Sequence, residues 1–126
     1  MKLLILGDVM GASGRNVLKE KLPKIITEKK IDFVIVNGEN AADDGRGITQ
    51  EIEEAFFLHG VAVITSGNHI WDKQETIDYI DKGNRLLSSA NFAEGPPGKG
   101  YELYSSKHNK YKIGVINLMV HEFMRK

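Results

Sequence analysis

Three short apolar runs, at residues 3–6, 33–36 and 61–64, punctuate the first half of the chain. Each ends in a polar, glycine-containing loop that gives way to a helical pattern, which is how parallel β-α units appear in a sequence. The runs are continuously apolar rather than alternating, so they predict strands covered on both faces of a central parallel sheet. Leu18, Leu22, Ile25 and Ile26 follow the i, i+4, i+7, i+8 spacing of a helix with one apolar face, and Ile48, Ile52, Ala55 and Phe56 repeat it. Both stretches predict crossover helices. A third helix is expected from Asp72, whose carboxylate would cap the amide of Glu75 while Glu75 reaches back, with Ile77 and Ile80 facing inward and Gly83 ending it.

Beyond this point the texture changes. Residues 86–89 predict a fourth strand, and Gly95-Pro96-Pro97-Gly98 reads as a loop. Residues 101–105 and 111–118 flank a polar turn at 107–110, which predicts an antiparallel hairpin beginning a second sheet. The fold class is therefore α/β, a parallel first sheet followed by the start of a second.

Length and composition narrow the picture. The chain has 126 residues, the size of one ordinary domain, so residues 1–126 are taken as a single domain. Apolar residues at 41% and charged residues at 27% are the balance of a soluble globular protein. The 17 basic and 17 acidic residues cancel, so no bulk nucleic-acid partner is expected and any phosphate recognition must be local. There is no cysteine, hence neither a disulfide framework nor a thiolate metal site, which fits a cytoplasmic protein. The opening apolar run breaks at Gly7-Asp8, too soon for a secretory core, and no apolar stretch approaches the roughly 20 residues that span a bilayer.

In an open parallel sheet ligands bind at the carboxyl ends of the strands. Those ends carry Gly7-Asp8-Val9-Met10-Gly11, Asn37-Gly38-Glu39-Asn40 and Thr65-Ser66-Gly67-Asn68-His69. Singly, each residue has a plain explanation. Asp8 can cap a turn, Glu39 can be a solvated loop charge, Asn40 and Asn68 can be turn residues, and His69 can pack beside Trp71. Together they place oxygen or imidazole donors, next to glycines that let the backbone come close, on three consecutive strand ends facing one rim. Paired carboxylates with amide oxygens and imidazole are what a two-metal phosphoryl site requires, and His69 beside it could donate a proton to the leaving oxygen or stabilise developing charge.

The blocks GDVMG, NGENAADDGRGIT and SGNHIWD resemble the three amino-terminal blocks of the YmdB-type metallophosphoesterases, within the calcineurin-like superfamily. The resemblance implies an α-β-β-α sandwich of which this chain holds the amino-terminal part. It also implies a pair of divalent metal ions, iron or manganese, and activity on 2',3'-cyclic nucleotides or similar phosphodiesters. By position, Asp8 would bind one metal, Glu39 would bridge two, Asn40 would support the first, Asn68 would bind the second and His69 would be the catalytic histidine. Met10 stands where most calcineurin-like enzymes have histidine, and Glu39 where most have aspartate. Both departures match the YmdB-type subgroup.

That family completes its site with three histidines from later blocks, whereas this chain reaches Lys126 with only His59, His69, His108 and His121. His59 precedes the third strand and His108 lies in the hairpin turn. His121 follows the last strand, where it is formally placed to be a ligand, but it is read as a structural or solvated residue. The half-site is expected to bind metal weakly and to turn over little substrate unless another polypeptide supplies imidazoles. An uncovered apolar sheet face is expected to drive homo-oligomerisation. The rival reading is a non-catalytic binding or assembly module that keeps the fold. A phosphate-loop reading of Gly7, Gly11 and Gly14 fits neither GxGxxG nor GxxxxGK[ST].

Overall fold

The computed structural model describes residues 1–92 and 96–120. Four strands, β1 (Leu3–Leu6), β2 (Phe33–Asn37), β3 (Val63–Thr65) and β4 (Leu86–Leu87), form a parallel sheet in that order. Leu3 pairs with Phe33, Ile35 with Val63 and Ile64 with Leu86. Helices α1 (Gly11–Lys29), α2 (Gln50–Leu58) and α3 (Gln74–Tyr79) connect them. Strands β5 (Tyr101–Ser105) and β6 (Lys112–Ile116) pair antiparallel as a second sheet, with Tyr101 opposite Ile116.

Alternation along the strands separates two cores. Val34, Val36, Ile64 and Leu86 face the helices and pack with Leu18, Leu22, Phe56 and Tyr79. Phe33, Val63 and Leu87 face the other way, onto Ile113 and Val115 of the hairpin. The layers are thus helices, parallel sheet and hairpin. Asn117, just after β6, ties the two sheets together at the carboxyl rim by donating from Nδ2 to Ser66 O at 2.6 Å and to Ser88 O at 3.0 Å.

Several expectations need correction. Strand β3 begins two residues late, because the Val61 amide is spent on Phe56 O, closing the end of α2. β4 stops at Leu87, since the Ser88 amide goes to Lys99 O instead. Asp72 does not cap α3. It is absorbed into a 3-10 turn, Asn68–Asp72, so the cap position passes to Lys73, and the Glu75 carboxylate accepts the Gln50 amide at 3.3 Å. Nor is β1 covered on both faces, for Leu3 and Ile5 remain 43% and 68% exposed where the hairpin does not reach. The loop expected at 95–98 is described only from Pro96 onward, and His121 lies outside the described residues. No helix among the described residues is long and apolar enough to cross a membrane.

Candidate active site

The loop after β2 turns sharply because the Asn37 side chain accepts the Glu39 amide at 3.0 Å, an Asx turn that lifts Glu39 and Asn40 over the rim. The same loop is joined to the tip of β1, since Gly11 N donates to Asn40 O at 2.9 Å and Val9 N to Asn37 O at 3.1 Å. Asp8 stands exposed between these contacts.

Glu39 lies part-buried, and its carboxylate faces the turn after β3. Oε1 accepts the His69 amide at 2.8 Å and Oε2 accepts the Gly67 amide. Gly67 is needed here, because a Cβ at that position would sit 2.7 Å from the Glu39 carboxyl carbon. Burial raises the Glu39 carboxyl above its ordinary range, and the two amides oppose that shift. Asn40 links the other members, with Nδ2 donating to Asp8 Oδ1 at 2.8 Å and Oδ1 lying 2.9 Å from His69 Nδ1. His69 Nδ1 is also 3.3 Å from Glu39 Oε1. With the Asn40 amide nitrogen given to Asp8, its oxygen must accept, so Nδ1 of His69 carries the proton and Nε2 is the ring nitrogen left for chemistry.

Four of the five predicted residues, Asp8, Glu39, Asn40 and His69, therefore form one chain of polar contacts across three strand tips. Asn68 opens the 3-10 turn with its side chain exposed and takes no part in that chain. His59 lies away from the rim, beside Arg15 and Lys19 in the cleft between α1 and α2, and His108 occupies a left-handed position in the β5–β6 turn with φ of 59°.

The donors at the rim are hard oxygens and one imidazole, the right type for divalent first-row cations. They are too few, however, for among the described residues no three His, Cys, Asp or Glu side chains are grouped closely enough to hold a metal ion. The set fits such ions in kind and falls short in number.

Sequence reasoning missed the residues that brace the loop after β2. Arg15 on α1 donates to Ala41 O and to Asp43 Oδ1, both at 2.6 Å, and Lys73 after the 3-10 turn donates to Asp44 Oδ2 at 2.6 Å. Gly47, at φ of 71°, passes so close beneath His69 that a Cβ would lie 2.7 Å from the His69 carbonyl oxygen. The adjacent Asp43 and Asp44, inside the matched block, were the available signal.

A parallel sheet with helices on one face, a second sheet on the other, and carboxylate, carboxamide and imidazole converging at its carboxyl rim defines the class as phosphoesterase-like α/β proteins. The YmdB-like protein family matches residues 4–126, and the chain belongs to that family. It is 45% identical over 124 residues to the 2',3'-cyclic-nucleotide 2'-phosphodiesterase of Bacillus subtilis, covering 98% of this chain and 46% of that protein. Among solved structures, a hypothetical protein from Thermus thermophilus superposes with a TM-score of 0.88 at 30% identity, over 100% of this chain and 48% of its own. A Mycoplasma pneumoniae protein described as a novel phosphatase gives 0.82 at 34% identity, over 94% and 42%. The chain spans somewhat under half the length of these relatives.

Proposed function

We propose that this chain supplies the amino-terminal share of a metal-dependent phosphodiesterase site acting on 2',3'-cyclic nucleotides or similar small phosphodiesters. The observation that carries the reading is the Asp8–Asn40–His69–Glu39 chain of contacts. The family membership and the activity named for the Bacillus subtilis relative support it. Asp8, Glu39, Asn40 and Asn68 would hold two divalent cations, iron or manganese, together with donors from outside the described residues. Such cations, when bound, polarise the phosphoryl oxygens and make a bound water acidic.

The chain's own residues account for orientation and proton transfer. Asn40 fixes the His69 ring through Nδ1, so that Nε2 is free to face a substrate, and the His69 amide is anchored by Glu39. In its imidazolium form, His69 would give the Nε2 proton to the ribose oxygen as its bond to phosphorus breaks, leaving a neutral hydroxyl. Loss of Asn40 would leave the ring held through Nδ1 by Glu39 alone and remove a cation donor, costing ring orientation and metal binding together.

The short donor set favours one second reading, a binding module that has kept the rim and lost the chemistry. Calorimetric titration with manganese separates the two. The expected result is weak binding that Asp8→Ala or Glu39→Ala abolishes and His59→Ala leaves unchanged, with slow or no hydrolysis of 2',3'-cyclic AMP by the chain alone. Absence of any manganese binding sensitive to Asp8 and Glu39 would remove the enzyme reading.

A further inference from the structure

Glu39 is held in part from the second sheet. Its Oε2 accepts the Gly67 amide, and that N–H belongs to the same peptide group as the Ser66 carbonyl. Ser66 O in turn accepts Asn117 Nδ2 at 2.6 Å. One planar unit therefore carries Asn117 on its oxygen and Glu39 on its hydrogen. A bond accepted by the oxygen polarises the peptide and strengthens the bond that its N–H donates, so the two reinforce each other.

Strand pairing does not fix this peptide. The β3 ladder ends at Thr65, opposite Asn37 and Leu87, so Ser66 lies one residue past the last paired position. The Ser66 hydroxyl is spent on Leu87 O at 2.6 Å, and Gly67 has no side chain to restrict rotation about its own bonds. Asn117, by contrast, is anchored through both halves of its backbone. Its amide donates to Gly100 O and its carbonyl accepts the Ala90 amide, each at 2.8 Å. Its Nδ2 also reaches Ser88 O at 3.0 Å and Leu87 O at 3.4 Å. Three carbonyl oxygens around one atom require a donor, which assigns the amide nitrogen to that side.

We infer that Asn117 is a positioning residue, which orients the Glu39 carboxylate through the 66–67 peptide and so makes the geometry of the rim depend on the docked hairpin. The Gly67 and His69 amides take one lone pair from each carboxylate oxygen and leave the other for a cation. The metal-ligand role of Glu39 rests on the function proposed above; its orientation by Asn117 does not.

Amide-proton chemical shifts of the native state test this, because they report hydrogen-bond geometry and not the stability of the fold. Asn117→Ala is expected to move the Gly67 amide proton upfield, as its bond to the carboxylate weakens. Val115→Ala trims the hairpin's packing on Phe33, Val63 and Leu87 but leaves Asn117 in place, so it should lower the urea midpoint without moving that proton. Where Asn117→Ala does not fold, the wild-type chain decides through scalar couplings across the hydrogen bonds. Couplings are expected from Asn117 Nδ2 to the Ser66 carbonyl carbon and from Gly67 N to the Glu39 carboxyl carbon. Absence of either coupling, an unmoved Gly67 proton in Asn117→Ala, or an equal displacement in Val115→Ala would overturn the inference. Manganese titration carries the test to the site. Asn117→Ala should weaken binding about fivefold, the effect of one hydrogen bond, whereas Val115→Ala should leave it unchanged. Unchanged manganese affinity in Asn117→Ala would also overturn the positioning role. A wild-type chain that binds no manganese, with the Gly67 proton still displaced in Asn117→Ala, would uphold the orienting of Glu39 and remove the phosphodiesterase reading.

Discussion

Glycines at the rim do two different jobs, and substitution should tell them apart. A methyl at Gly67 would meet the Glu39 carboxylate, the movable end of a side chain, whereas a methyl at Gly47 would meet the His69 carbonyl in a backbone already at positive φ. Gly67→Ala is expected to cost about 1–2 kcal/mol, because the carboxylate can swing aside only by giving up the Gly67 and His69 amides, and to abolish manganese binding at Glu39. Gly47→Ala should cost about 1–3 kcal/mol, since an L residue in the left-handed region is strained and the backbone cannot retreat. Urea unfolding and manganese titration of both variants check this; retained manganese binding in Gly67→Ala would contradict it. Glu53 on α2 gives a pH-dependent case away from the rim. Its carboxylate is largely buried beside Tyr79, and burial raises its carboxyl above the ordinary 4.5 while Tyr79 and Arg85 partly offset the shift. A folded state that holds this proton more tightly than the unfolded one is favoured by acid. The contribution is complete below 4.5 and is lost as pH rises through the raised folded value. Glu53→Gln should then stabilise the protein at pH 7 by about 1 kcal/mol and flatten the decline above pH 4.5, as read by urea unfolding across that range. A variant with an unchanged slope would refute this role.

At the scale of elements, the parts legible in the sequence are those that local periodicity or a strand-tip position specifies. The apolar spacing of Leu18, Leu22 and Ile26 sufficed for α1, and the turn residues between 105 and 111 sufficed for the hairpin. Asp8, Glu39, Asn40 and His69 were visible because each follows a strand directly. What was hidden depends on contacts across the fold. The start of α3 moved when the residues after β3 wound into a 3-10 turn, an arrangement held by Glu39 bonding to the Gly67 and His69 amides 28 and 30 residues away. The bracing of the β2–α2 loop by Arg15 and Lys73 is equally non-local. Those two ion pairs are largely exposed on their acidic side, so screening leaves them little thermodynamic weight. Their expected effect is on order. Lys73→Met should leave the urea midpoint nearly unchanged but speed hydrogen exchange at the Ala42 and Gly47 amides, which bond within this loop to Gly47 O and Glu39 O. Unaltered exchange at those amides would mean that the backbone bonds hold the loop by themselves.

Among the described residues, one continuous apolar strip stands uncovered. Leu3 and Ile5 project from β1 on the face where the hairpin covers only β2, β3 and β4, and Tyr101, Leu103, Ile116 and Leu118 line the outer face of the hairpin itself. Tyr101 and Ile116 are cross-strand partners, so the outer residues form a continuous strip rather than scattered points. A soluble monomer rarely exposes such a strip, and a two-stranded sheet with free edges invites further pairing. The 126-residue chain alone is accordingly expected to self-associate, with a light-scattering mass that rises with concentration. Leu103→Lys combined with Ile116→Glu should shift the population toward monomer while leaving the buried contacts of Ile113 and Val115, on the opposite face of the hairpin, intact. Should the wild-type chain remain monomeric across a wide concentration range, the exposed strip would not be an association surface. Should the double variant unfold instead of dissociating, the strip would owe its apolar character to the hairpin's own stability.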